Sequence, residues 1–379
     1  MSNQMINRPR LAAEFCELVK IDSPTRNERQ IADVLKKRLA DLHMTVTEDQ
    51  AGLALGGNCG NVYAYLRGTL PEAPVLLLSA HLDTVAPCLG IEPVLENGIF
   101  RSIGPTILGA DNKSGIASIL EALRTLLESD LPRGDIKVIF SVAEEGGVNG
   151  VKHLERSWLK ADYGYVFDAS GDPGTIILSA PGQDRLDITI TGKAAHAGAF
   201  PEEGISAIVV AAEAIAGLKT GRIDEETTSN VGTIAGGLAT NIVAEKVTLT
   251  CETRSRNPEK LERQTAQMAE AFRRSSEKAG AKADIKVTRY YDSYVIDKDS
   301  PVAVLAAKAA AEAGLQPVFD VTGGGSDGNF FNIYGVPCVV LSTGMMNPHT
   351  TEEYISEADL CRTAELVLAL IKTAAGMTR

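Results

Sequence analysis

Two kinds of hydrophobic pattern alternate along this chain. Val75-Leu76-Leu77-Leu78 and Val138-Ile139-Phe140 are unbroken apolar runs of strand length, as expected of strands covered on both faces. Between them, the segment from Ser114 to about Leu127 is long enough for a helix. This βαβ spacing predicts a largely parallel sheet with helices on both sides. Upstream, Thr25-Arg26-Asn27-Glu28 reads as a capping box, and Ile31, Val34, Leu35, Leu39 and Leu42 behind it keep a helical period.

The middle of the chain follows another rule. Leu186, Ile188 and Ile190 alternate with polar residues, the mark of a half-buried strand, and Ile205, Ile208, Val209, Ala212, Ile215 and Ala216 then switch to helical spacing. Strands are expected around Val231 to Ile234 and from Val247 through Leu249 and Cys251. Pro258 then starts a helix with Leu261, Met268 and Phe272 on one face, and alternating Ile285 and Val287 close the segment. The order β-α-β-β-α-β is the split βαβ, or ferredoxin-like, arrangement, which can fold as an insert.

After Tyr291 the first pattern resumes. A helix is expected around Val302 to Ala313, a strand at Val318 to Val321, a turn at Gly323 to Gly328, a buried strand at Val336 to Leu341 and a last helix from Glu357. The expected fold class is α/β: a mostly parallel sheet in a discontinuous domain, residues 1–180 and 292–379, with an α+β insert at 181–291.

At 379 residues the chain has room for two domains. Its formal charge of −12 and the lack of a basic block argue against nucleic acid or anionic membrane as a partner. No stretch of eighteen uncharged apolar residues occurs, and no apolar leader follows Met1, so a soluble cytoplasmic protein is expected. Cys16, Cys59, Cys88, Cys251, Cys338 and Cys361 form no C-x-x-C pair and read as reduced packing residues. That leaves histidines and carboxylates as metal donors.

Those residues arrive in an informative order. His81-Leu82-Asp83, Asp111, Glu144-Glu145 and Asp168 each fall where an apolar run gives way to a loop or helix, and His349 follows near the end. Singly, each has an ordinary reading: a core histidine, an N-cap, a turn residue. Together they gather along one edge of one sheet, where open α/β folds bind ligands. Two imidazoles and three or more carboxylates there suit a pair of divalent metals. Of the adjacent Glu144 and Glu145, one can bind metal while the other holds a proton.

The stretches Ser79-Ala80-His81-Leu82-Asp83-Thr84-Val85, Gly109-Ala110-Asp111-Asn112-Lys113-Ser114-Gly115, Ala143-Glu144-Glu145-Gly146 and Pro348-His349-Thr350-Thr351-Glu352 resemble the peptidase T-like branch of the co-catalytic zinc peptidases. Aminoacylases, deacetylases, a desuccinylase and glutamate carboxypeptidases belong to the same superfamily. The resemblance covers nearly the whole chain. It implies a zinc exopeptidase-like fold with two Zn²⁺, for which Co²⁺ or Mn²⁺ can substitute. Asp111 would bridge the metals, with His81 and Asp168 on one and Glu145 and His349 on the other. Glu144 would be the general base and Asp83 would orient His81. In the insert, a lid and dimerisation domain by this resemblance, His196 would stabilise the oxyanion, and Asn241 and Arg254 would hold the substrate's backbone and terminal carboxylate.

The leading expectation is a homodimeric tripeptide aminopeptidase acting on short peptides. An N-acyl amino acid amidohydrolase would use the same metal core, and a silent peptide-binding relative would be expected to lack a ligand. A nucleotide-binding protein is disfavoured by the missing phosphate loop and by carboxylates where phosphates would be repelled.

Overall fold

The computed structural model describes residues 5–378. The chain forms two compact units. The first comprises the segment ending at Ser179, then Val295–Thr322 and the segment from Ser326; the second comprises Ala180–Tyr294 with Gly323–Gly325.

The first unit is built on a mixed sheet whose centre is parallel. Across it lie Thr45–Glu48, Val62–Leu66, Ile136–Ser141, Leu76–His81, Tyr163–Ala169, Cys338–Ser342 and Thr175–Ala180, in that order. Leu76–His81 runs parallel to both its neighbours, and Cys338–Ser342 runs parallel to Tyr163–Ala169; Thr45–Glu48 with Val62–Leu66, Val62–Leu66 with Ile136–Ser141, and Cys338–Ser342 with Thr175–Ala180 are antiparallel, and Val318–Val321 adds a parallel partner to Thr175–Ala180. Every residue of Leu76–His81 is buried, as its unbroken apolar run predicts.

The helices Ala110–Glu128 and Glu357–Ala375 pack together, and the former also packs on the Leu76–His81 strand. Leu120, Leu123, Leu366, Val367 and Leu370, all nearly inaccessible, belong to the resulting core. A small sheet formed by Pro93–Glu96, Ile99–Ser102, Tyr354–Ser356 and Met345–Met346 leads into the segment carrying His349.

In the second unit, Gly182–Thr191 lies between Lys246–Ser255 and Lys282–Tyr291 in a five-stranded antiparallel sheet. Helices Ala207–Ala216 and Pro258–Ala279 pack against it. Leu186, Ile188, Ile190, Val247, Leu249 and Cys251 meet Val210, Met268 and Phe272 to form its separate core. The alternation read from the sequence is one face of this sheet turning inward.

One local reading fails. The helix Arg29–Asp41 forms with Ile31, Leu35 and Leu39 inward, but its N-cap, Glu28, makes no capping hydrogen bond. Thr25 Oγ1 instead donates to Asp83 Oδ2 at 2.8 Å, and Glu28 Oε1 accepts from the Arg26 and Ala143 amides. Asp83 and Ala143, distant in sequence, together with the adjacent Arg26 amide, take the place of the local cap. All six cysteines are free. Among the described residues, no helix is long and apolar enough to cross a membrane.

Candidate metal centre

Register explains why the donors gather. In the parallel sheet His81 lies beside Ser141, and Ser79 lies beside Val166. Two residues further along, His81 and Asp168 therefore reach the same level, and Glu144 follows Ser141 by three residues. Asp111 comes from the turn that opens the Ala110–Glu128 helix: Gly109 has φ +75°, a left-handed conformation suited to glycine, and Asp111 has non-helical dihedrals. His349, with φ +63°, sits in the turn after Met345–Met346.

Asp111 stands between two imidazoles. Its Oδ1 lies 2.9 Å from His81 Nε2, which is also 3.3 Å from Asp168 Oδ1. Its Oδ2 lies 3.3 Å from His349 Nε2, which is also 3.1 Å from Glu145 Oε2. Donor atoms from His81, Asp111 and Glu145 all fall within 4.8 Å of one another. Each imidazole nitrogen thus faces two carboxylate oxygens, and one aspartate serves both groups.

The hydrogen bonding of His81 tests whether cations fit here. Its Nδ1 lies 2.9 Å from the Asp83 backbone carbonyl, which can only accept, so the ring proton belongs on Nδ1. A neutral His81 then aims its Nε2 lone pair at two carboxylate oxygens. That contact is repulsive unless a proton or metal ion lies between them. Tetrahedral zinc with bonds of about 2.0–2.1 Å holds its donors roughly 3.3 Å apart, close to the spacings seen in both groups. Buried Glu145 Oε1 has no hydrogen-bond partner. The residues fit two divalent cations sharing Asp111.

Titration tendencies agree. Burial alone would lower the His81 pKa, but Asp168, Asp111 and Asp83 outweigh it and raise it well above the usual value. Hydrogen bonds to Asp111 and Glu145 push His349 up to about 10. Burial raises Glu145, and it raises Asp168 to about 7 despite the opposing pull of His81. Glu144 is raised well above the carboxylate range by burial and then by Asp168, with Glu145 and Asp327 adding to the effect. The pocket attracts positive charge: burial favours the protonated forms of Glu144, Glu145 and Asp168, while Asp111, bonded to both imidazoles, is held below the usual carboxylate range.

The Asp83 carboxylate is not the group nearest the His81 ring. It is 3.5 Å from His81 Nδ1, whereas the residue's own carbonyl is at 2.9 Å and orients the ring. The carboxylate accepts from the amides of Glu144 at 2.9 Å and Glu145 at 3.2 Å, and from Thr25. The strand ends at His81, and Asp83, the last residue of H-x-D, reaches across to the loop that carries Glu144 and Glu145.

His196, Asn241 and Arg254 belong to the second unit. Exposed His196 accepts at Nδ1 from the amides of Gly198 and Ala199, which leaves Nε2–H as the outward donor in the neutral ring. Asn241 adjoins it: its carbonyl accepts from Ala197 N. Arg254 Nε and one Nη each lie 3.1 Å from a Glu252 carboxylate oxygen. Gly325 has a packing role within this unit, since a Cβ there would collide with the Tyr291 ring.

Sequence reasoning missed four supporting residues. Lys113, 1% exposed, donates from Nζ to Ser23 Oγ at 2.7 Å and to the Leu82 carbonyl at 2.8 Å, bracing the segment after His81. Glu353 accepts from the amides of Gly109 at 2.7 Å and Asp111 at 2.9 Å. Asn112 Nδ2 donates to Asp168 Oδ1. Buried Asp327 accepts from Ser141 Oγ. Asn112, Lys113 and Glu353 lay in or beside the motifs, but the lysine and glutamate types usually mark surface.

Comparison with known proteins extends this picture. Peptidase family M20/M25/M40 matches residues 77–373. An uncharacterised protein of Bacillus subtilis, YqjE, is 42% identical over 371 residues, covering 98% of this chain and all of its own. Aminopeptidase PepT from Bacillus cereus is 43% identical, with TM-score 0.89 and coverage of 98% of this chain and 100% of that one. A tripeptidase from Staphylococcus aureus is 40% identical, with TM-score 0.94 and the same coverages. Similar over most of its length to family members, the chain belongs to peptidase family M20/M25/M40.

Proposed function

We propose that this peptide-bond hydrolase is a dinuclear, zinc-dependent aminopeptidase of short peptides, tripeptides foremost. The observation that carries the reading is Asp111, whose two oxygens each face a different histidine–carboxylate pair. His81, Asp111 and Asp168 would hold one cation, and His349, Asp111 and Glu145 the other. Bound there, the cations would polarise the scissile carbonyl and make the attacking water more acidic. With zinc, the three carboxylates offset three of the four positive charges, which eases burial of the cluster.

The remaining steps belong to the protein. Glu144 takes the proton of the water and returns it to the leaving amine. A buried carboxyl with a raised pKa suits both halves of that transfer. Asp83 fixes the Glu144 and Glu145 amides and, through its carbonyl, the His81 ring. His196 Nε2–H is assigned to the developing oxyanion, and Asn241 and Arg254 to the substrate's backbone and terminal carboxylate. The tripeptide preference draws on the 40% identical tripeptidase and the 43% identical aminopeptidase.

A cytoplasmic location is supported by six free thiols, which suit a reducing compartment. A homodimer through the inserted unit is supported by Ile208, Val209, Leu238 and Ile242, which that unit leaves exposed. In the direct test of the reaction, Glu144→Gln retains metal by atomic emission while kcat falls by about 10²–10⁴-fold; a variant near wild-type activity would refute the assignment. A panel of tripeptides and N-acyl amino acids tests the substrate class, and preference for the latter would reassign the enzyme as an amidohydrolase.

A further inference from the structure

Three consecutive amides that carry Glu144 into the site are each held by a carboxylate. Ala143 N donates to Glu28 Oε1 at 3.0 Å, Glu144 N to Asp83 Oδ1 at 2.9 Å and Glu145 N to Asp83 Oδ2 at 3.2 Å. Ala143 has φ +50°, a left-handed conformation that a residue with a Cβ adopts at a cost. The turn therefore needs external anchors.

Glu28 is an unexpected anchor. It lies upstream of residues 77–373, the part matched by the family, and its position before a helix suggests nothing beyond capping. No capping bond forms. The side chain is completely buried; Oε1 also accepts from Arg26 N at 2.8 Å, while Oε2 has no partner. Burial, and next the nearby Asp83 carboxylate, disfavour its charged form. A half-satisfied buried carboxylate beside a like charge lowers stability. What it holds in return is the Ala143 amide.

We propose that Glu28 is a positioning residue for hydrolysis: by fixing the Ala143 amide it sets the direction in which the Glu144 side chain enters the site. The inference rests on Glu144 being the proton carrier. Glu28 acts through the backbone, and its oxygen, more than its charge, is what the turn requires. Glutamine keeps that oxygen; alanine removes it.

The test compares Glu28→Ala, Glu28→Gln and Glu144→Gln in the metal-loaded enzyme by kcat, KM, metal content and Tm. Glu28→Gln keeps kcat within about threefold of wild type, with Tm unchanged or higher. Glu28→Ala loses about 10²-fold in kcat, the size expected for a displacement near 1 Å, while KM and metal content hold. Should the alanine variant not fold, Glu28→Asp, too short to reach the amide, carries the same expectation. A folded Glu28→Ala or Glu28→Asp enzyme with lowered Tm but wild-type kcat overturns the proposal, as do equal kcat losses in the glutamine and alanine variants. An active Glu144→Gln overturns the proton-carrier assignment and this inference together; an inactive Glu144→Gln beside a fully active Glu28→Ala overturns this inference alone.

Discussion

Replacing Glu353 with alanine separates the stability of the fold from the geometry of the site. The Glu353 carboxylate accepts from Gly109 N at 2.7 Å and Asp111 N at 2.9 Å, and so fixes the backbone of the residue assigned to both metals. Orphaning two buried amides costs about 1–3 kcal/mol each, roughly 2–6 in all. Removing the carboxylate offsets part of this, because burial raises its pKa from 4.5 to about 7, a penalty of about 3 kcal/mol on the ionised form at pH 8. The net loss is therefore small, between near zero and about 3 kcal/mol, or a few degrees in Tm.

Metal affinity responds more strongly. With Asp111 no longer fixed, both groups of donors loosen, and affinity falls by about 10–100-fold, as for other residues that orient metal ligands. Titration against a competing chelator measures that loss, and differential scanning calorimetry on metal-free protein measures stability. Glu353→Gln gives an intermediate result, since its oxygen satisfies one amide while its amino group opposes the other. Affinity within twofold of wild type in Glu353→Ala would refute the positioning argument.

Stripped of metal, the protein should be more stable at pH 5 than at pH 8. Asp327 at about 6, Asp168 at about 7 and His349 at about 10 all have folded pKa values above their unfolded ones, so their contribution is lost as pH rises, while the lowered Asp83 and Asp111 are ionised throughout this window. A metal-free Tm that rises between pH 5 and 8 would contradict this. Arg254→Ala should raise KM for free-acid tripeptides about tenfold or more and barely affect their C-terminal amides; equal losses on both would remove Arg254 from carboxylate recognition.

The donors were legible because each ends a stretch with an unambiguous period. Leu76–His81 is buried on both faces, so its apolar run has a clear end, and the residue at that end is His81. Parallel register then brings Asp168 level with it, a relation no local window contains. The helix Arg8–Val19 was missed: its sequence opens on Arg-Pro-Arg and carries a mixed apolar stripe. Thr25-Arg26-Asn27-Glu28 was misread because the local pattern for a capping box is satisfied, yet each of the two side chains has a partner more than fifty residues away that no local window contains. Lys113 and Glu353 escaped notice for a related reason: their burial depends on Leu82, Ser23, Gly109 and Asp111, contacts that exist only once the chain has folded.

Anomalous X-ray scattering at the zinc edge from zinc-loaded crystals shows whether two cations share Asp111. Two peaks are expected, one bonded at about 2.0–2.2 Å to His81 Nε2, Asp111 and Asp168, the other to His349 Nε2, Asp111 and Glu145. A single fully occupied peak, or peaks that do not both contact Asp111, would contradict that sharing.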